Sequence, residues 1–243
     1  MCELVLLHGF LGDARYWDAV HLPAVRPTVA GHGPSPWCPE GDFSAVVEQT
    51  AQALLFDHPV WLAGYSLGAR LALALALAHP ARVAGVLLFS VNPGIEHDAD
   101  RRARVALDEA RAKDLEEQGL EAFVDTWEKL PLFATQRAVS PEQLAVQRAR
   151  RMTHTVSGIA WALRTLGLGQ MPNFWPRLPR VACPVVFVAG ELDVRFVEIA
   201  RRASALVSSS VLHVVAGVGH NVLLEAPQTA LDIIAKTIHE ARP

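Results

Sequence analysis

The chain has 243 residues, 51% of them hydrophobic, which is enough core for one large α/β domain or two small ones, and one domain with an insertion is expected. A net charge of −3 and an isoelectric point near 6.4 provide no broad cationic surface for nucleic acid or an anionic membrane, so a charged ligand must be read by local residues. Cys2, Cys38 and Cys183 are odd in number and widely spaced, which argues against both a disulfide framework and a zinc site.

The predicted elements begin with a strand at residues 4–7, which leaves through Leu6-Leu7-His8-Gly9-Phe10-Leu11-Gly12. Glu3 and the short apolar run ending at His8 lack the basic start and long apolar segment of a secretory leader, so a cytoplasmic protein is expected. Gly31-His32-Gly33-Pro34-Ser35 reads as a scaffold turn, and a helix is expected over residues 43–56. The apolar run 60–63 leads into Gly64-Tyr65-Ser66-Leu67-Gly68 and then into a helix over 67–79. That helix holds the longest apolar tract, residues 71–78, far short of the ~18 residues that span a bilayer.

A strand at 83–89 follows, and Pro93-Gly94 opens a stretch, residues 96–170, without any convincing strand. It is dense in Arg, Glu, Ala, Leu and Gln and reads as a helical lid inserted into a core formed by 1–95 and 171–243. The loop carrying Gly167, Gly169, Pro172 and Pro176 closes it. Strands at 185–189 and 211–215 and helices at 196–207 and 227–241 complete the chain. Near-continuous apolar strands alternating with helices predict an α/β fold around a mostly parallel sheet covered on both faces.

Ser66 has the context of a nucleophile elbow: strand, tight turn with flanking glycines, helix. A serine hydroxyl needs a general base, and the base needs a carboxylate to fix its tautomer. Asp193 lies just past the 185–189 strand, with Glu191 as its rival; a structural reading would make Asp193 the cap of the following helix. His220, in Gly217-Val218-Gly219-His220 after the last strand, is the expected base. The order Ser, Asp, His is that of the α/β-hydrolases. The backbone N–H groups of Phe10 and Leu67 are the expected oxyanion-hole donors, with His8 a hydrogen-bonding support for the 8–12 loop and His32 structural.

The GYSLG elbow, the HGF loop, the GHG turn, the late Asp and the terminal GH together resemble the α/β-hydrolase superfamily over essentially the whole chain. A narrower resemblance begins at Arg70. Gly64-Tyr65-Ser66-Leu67-Gly68-Ala69-Arg70 is similar to the elbow of the 2-succinyl-6-hydroxy-2,4-cyclohexadiene-1-carboxylate synthase (MenH) family. Arg70 lies one helical turn beyond the serine on the same side, where a cation can stand beside the reacting centre.

That resemblance implies further substrate contacts: Tyr65, Arg104, Trp127 in Trp127-Glu128-Lys129-Leu130-Pro131-Leu132-Phe133, and Arg148, with Arg150 or Arg151 in its place if the register shifts. Without it, Trp127 would read as core and the arginines as surface charge. It also implies a carbon–oxygen lyase of menaquinone biosynthesis that expels pyruvate from a small, carboxylate-rich substrate; no metal or organic cofactor is expected, because the sequence carries no ligand cluster or phosphate loop. The alternative is a carboxylesterase or thioesterase working through an acyl-serine. No nucleic-acid or membrane partner is expected, and the chain would be a monomer or weak homo-oligomer.

Overall fold

The computed structural model of the chain describes residues 3–54 and 58–240; Cys2, Leu55, Phe56 and Ala241, which fall in the regions discussed above, lie outside them. Five strands, β1 (Leu4–Leu7), β2 (Val60–Tyr65), β3 (Val83–Phe89), β4 (Val185–Gly190) and β5 (Ser210–Val215), form one sheet in the order β1-β2-β3-β4-β5. Every neighbouring pair is parallel, so each connection crosses over the sheet and all five carboxyl ends point the same way.

Alternation along the strands divides the core into two layers. Val5, Leu7, Leu62, Val86, Leu88, Val185 and Phe187 enter one apolar cluster, together with residues of α1 (Phe43–Ala53), α2 (Leu67–Ala78) and α6 (Val194–Ser204). Leu4, Leu6, Trp61, Ala63, Leu87, Phe89 and Val186 enter the other, with Trp17 and with Ala230, Ile234 and Ile238 of α8 (Pro227–Glu240). Burial on both faces is why these strands read as continuous apolar runs in sequence. The α/β expectation holds.

Boundaries differ modestly. β2 runs through Tyr65, so the elbow begins directly at its end. Helix α6 starts at Val194 rather than 196, because the Asp193 side chain accepts the Phe196 N–H and initiates the helix there. One short helix, α7 (Val222–Glu225), was not among the predicted elements.

Between β3 and β4 the chain forms α3 (Asp98–Glu128), broken by a left-handed Gly119, then α4 (Pro141–Arg151) and α5 (Val156–Leu166). Ala112, Leu115, Phe123, Ile159, Ala160 and Leu163 of these helices share their own apolar cluster with Leu11 of the loop after β1. No helix of the described residues is long and apolar enough to cross a membrane.

Candidate active site

The carboxyl ends of all five strands lie along one edge of the sheet, the side on which open parallel α/β sheets hold ligands. β2 delivers Ser66 in a conformation that side chains rarely adopt, φ 50° and ψ −104°. The turn is clamped backbone to backbone. A Cβ at Gly68 would stand 2.0 Å from the Leu7 carbonyl oxygen, and one at Gly64 2.3 Å from that of Gly68. The glycines therefore allow β1 and the start of α2 to approach closely enough to lift Ser66 out of the sheet.

His220 reaches that serine from the loop after β5. Its Nε2 lies 3.2 Å from Ser66 Oγ and its Nδ1 2.8 Å from Asp193 Oδ2, with the imidazole 2% exposed. Asp193 uses its other oxygen, at 3.4 Å, to accept the Phe196 N–H, so the cap and the histidine partner are one residue. Glu191 turns away and accepts the Gly217 N–H at 2.9 Å. The two acids thus divide the loop, one steadying its backbone and the other facing the imidazole. Phe196 packs edge-on against the His220 ring at 4.5 Å. The Ser90 hydroxyl donates to the His220 carbonyl at 2.7 Å, while Glu225 accepts the N–H groups of Gly219 and Asn221 on either side.

Leu67 is the first residue of α2, so its N–H has no carbonyl one turn back within the helix. Phe10 lies in the turn after β1 and lines the same cavity as Ser66. His8 supports that turn from beneath: Nδ1 donates to the Gly9 carbonyl and Nε2 accepts the Val29 N–H, each at 2.8 Å. Both ring nitrogens are committed, and burial pushes its pKa down to about 4, so the ring is neutral. His32 packs between His8, Phe10 and His154 and is likewise held neutral by burial.

A cavity of about 120 Å³ opens from Ser66 and His220 towards the inserted helices. Tyr65, Arg70, Arg104 and Trp127, the substrate contacts expected above, line it. Arg70 donates to the Leu166 carbonyl at 2.8 Å; burial, and then the neighbouring Arg104 charge, pull its guanidinium below the ordinary arginine range. A buried cation so placed is poised to gain from an arriving anion. Tyr65 stacks on Tyr16 with ring planes 8° apart, and Tyr16 in turn bonds Asn221, the neighbour of His220.

Arg148 is not brought to the cavity. Glu121, Asp125 and Glu128 form an acidic stripe along one face of α3 and hold it at 3.7, 2.7 and 3.1 Å. Nor does Arg150 take its place, because it bonds the Arg15 carbonyl and Asp18. Arg151 comes nearest: it pairs with Glu128 and lies 5.8 Å over Phe133, a cavity residue. Lining residues without a role in the sequence analysis include Asp108, Ser90 and Phe196. For Asp108 there was a signal, its place one helical turn beyond Arg104; Ser90 and Phe196 carry none.

The family model described as "Alpha/beta hydrolase family" matches residues 4–232. A protein of Bacillus subtilis (strain 168), provisionally named a 2-succinyl-6-hydroxy-2,4-cyclohexadiene-1-carboxylate synthase, is 32% identical, covering 96% of this chain and 89% of its own length. The enzyme of that name from Enterobacter sp. (strain 638) is 29% identical over 97% of this chain and 91% of its own. The solved structure of MenH from S. aureus superposes with a TM-score of 0.95 at 32% identity, covering 100% of this chain and 95% of the other. The chain belongs to the α/β-hydrolase family and, within it, to the family of 2-succinyl-6-hydroxy-2,4-cyclohexadiene-1-carboxylate synthases.

Proposed function

We propose that the protein is a lyase converting 2-succinyl-5-enolpyruvyl-6-hydroxy-3-cyclohexene-1-carboxylate to 2-succinyl-6-hydroxy-2,4-cyclohexadiene-1-carboxylate and pyruvate. The observation that carries this reading is the pair of cavity arginines, Arg70 and Arg104, facing a serine that is hydrogen-bonded to histidine. The substrate presents three carboxylates: on the ring, on the succinyl chain and on the enolpyruvyl group. Guanidinium groups bind such anions through paired, charge-assisted hydrogen bonds.

The two names define the bond changes. The proton on the ring carbon bearing the succinyl ketone leaves, and a double bond forms from that carbon to the next. The existing double bond moves one place on, the carbon–oxygen bond to the enolpyruvyl group breaks, and enolpyruvate leaves to become pyruvate. Ser66 Oγ takes the ring proton while His220 Nε2 accepts the hydroxyl proton of Ser66, and Asp193 supports the resulting imidazolium. The N–H groups of Phe10 and Leu67 receive the charge that develops on the ketone oxygen. No water enters the reaction, and no acyl-serine forms.

Residues 96–170 act in this reading as a lid. The cavity of about 120 Å³ is smaller than the ~300 Å³ at which pockets for ligands of this size begin, which supports a lid that moves for entry.

Wild-type protein is tested with the enolpyruvyl substrate for pyruvate release, beside a panel of p-nitrophenyl esters. Fast ester hydrolysis without pyruvate would replace the lyase with an esterase. Arg70→Ala should lower kcat/KM for the tricarboxylate roughly 100-fold or more while changing hydrolysis of a neutral ester by less than about threefold. Equal losses on both would reduce Arg70 to a structural residue.

A further inference from the structure

Arg104 enters the cavity with part of its guanidinium already engaged. Its Nε donates to Asp108 Oδ2 at 2.7 Å, one turn further along α3, which leaves the Nη edge for a ligand. The Asp108 side chain is only 4% exposed, and its other oxygen accepts from Arg111 Nη1 at 3.3 Å. Arg111 in turn lies 5.5 Å over the ring of Trp127, the aromatic wall of the cavity. Gly167 closes against the carboxylate, because a Cβ there would stand 2.6 Å from Asp108 Oδ2.

A buried carboxylate in the wall of a pocket for carboxylates repels what the pocket binds, so its presence calls for a compensating role. A guanidinium on a flexible stem offers five N–H groups and many orientations; fixing Nε selects one of them. The same negative charge offsets the repulsion between Arg70 and Arg104 and lowers the attraction for any small anion.

We infer that Asp108 is a positioning and specificity residue: it aims the Nη edge of Arg104 at the ligand and trims the pocket's positive charge, favouring extended polycarboxylates over compact inorganic anions. This rests on the polycarboxylate reading of the cavity, but one of its two readouts does not need turnover.

Asp108→Asn removes the charge and keeps the shape, whereas Asp108→Glu keeps the charge and displaces it by a methylene. Both are made in the full chain, for kinetics of pyruvate release and calorimetric titration with inorganic sulfate. Arg104→Ala identifies the sulfate bound in this cavity. For Asp108→Asn, KM should rise about tenfold with kcat within about threefold, while sulfate binds at least about threefold more tightly. For Asp108→Glu, KM should rise and sulfate affinity stay at the wild-type value.

A merely structural residue would weaken both ligands together. Weakened or unchanged sulfate binding by folded Asp108→Asn, or an unmoved KM in Asp108→Glu, would overturn the assignment. Should Asp108→Asn fail to fold, Asp108→Glu still decides: a raised KM at unchanged sulfate affinity supports the assignment, and an unmoved KM or a matching loss of sulfate affinity overturns it. If wild-type protein releases no pyruvate, the lyase reading fails by itself, and tighter sulfate binding in Asp108→Asn alone still supports the role of Asp108.

Discussion

Single residues in this site serve two purposes at once, and that is why sequence patterns assign some of them and miss others. Asp193 could be read as a helix cap or as the partner of a histidine, and it is both, one oxygen for each. Ser90 sits at a left-handed φ of 52° and holds the His220 carbonyl, a role no local pattern announces because its partner is 130 residues away. His8 was legible as a support because a histidine directly after a strand and before a glycine has backbone groups on either side to join.

Its neutrality has a measurable consequence. The His8 pKa falls from 6.5 to about 4 on folding, so between those values the unfolded chain binds a proton that the folded chain refuses. Stability is full above pH 6.5 and declines by roughly 3 kcal/mol as pH drops to 4, with His32 acting in the same direction. The urea midpoint should therefore fall steadily from pH 7 to pH 4. His8→Gln, which can still donate to Gly9 and accept from Val29, should make that decline shallower; an unchanged slope would contradict the assignment.

At the scale of elements, one close seam between the helices that follow β3 and the rest of the chain is glycine against glycine. A Cβ at Gly158, at the start of α5, would stand 2.5 Å from the Gly31 carbonyl oxygen, and one at Gly31 2.7 Å from the Trp161 ring. Gly33 adds a hydrogen bond to His154 Nδ1 at 2.8 Å. Gly158→Ala must push α5 away from the 29–33 turn, and α5 carries Ala162, Leu163 and Leu166 of the cavity wall. The expected result is a loss of about 1–3 kcal/mol in urea unfolding together with a raised KM. A loss of stability with KM unmoved would show that the seam does not govern the cavity. The inserted region is also where sequence reading reached its limit. Arg104 and Trp127, both on α3, reach the cavity, but Arg148 on α4 turns to the acidic stripe of α3. Spacing along a helix fixes which residues share a face; it does not say which neighbour that face meets.

For the molecule as a whole, a fully parallel sheet in sequential order is what makes the site legible. Strand, turn and helix repeat along the chain, and every strand ends on the same edge, so residues just past strand ends converge however far apart they lie in sequence. Ser66, Asp193 and His220 follow that rule, and a sequence read for strand ends finds them. The cavity composition depends instead on how α3, α4 and α5 pack, which is set by contacts such as Arg148 with three carboxylates that no period in the sequence encodes. In the proposed reaction this assembly eliminates pyruvate and uses Ser66 to remove the proton. The most direct measurement is pyruvate release from 2-succinyl-5-enolpyruvyl-6-hydroxy-3-cyclohexene-1-carboxylate by wild-type protein and by Ser66→Ala. The wild type should release pyruvate and the variant should be slower by about 10³-fold, within the range attributed to a positioned general base. No release by the wild type, or release undiminished without the Ser66 hydroxyl, would contradict it.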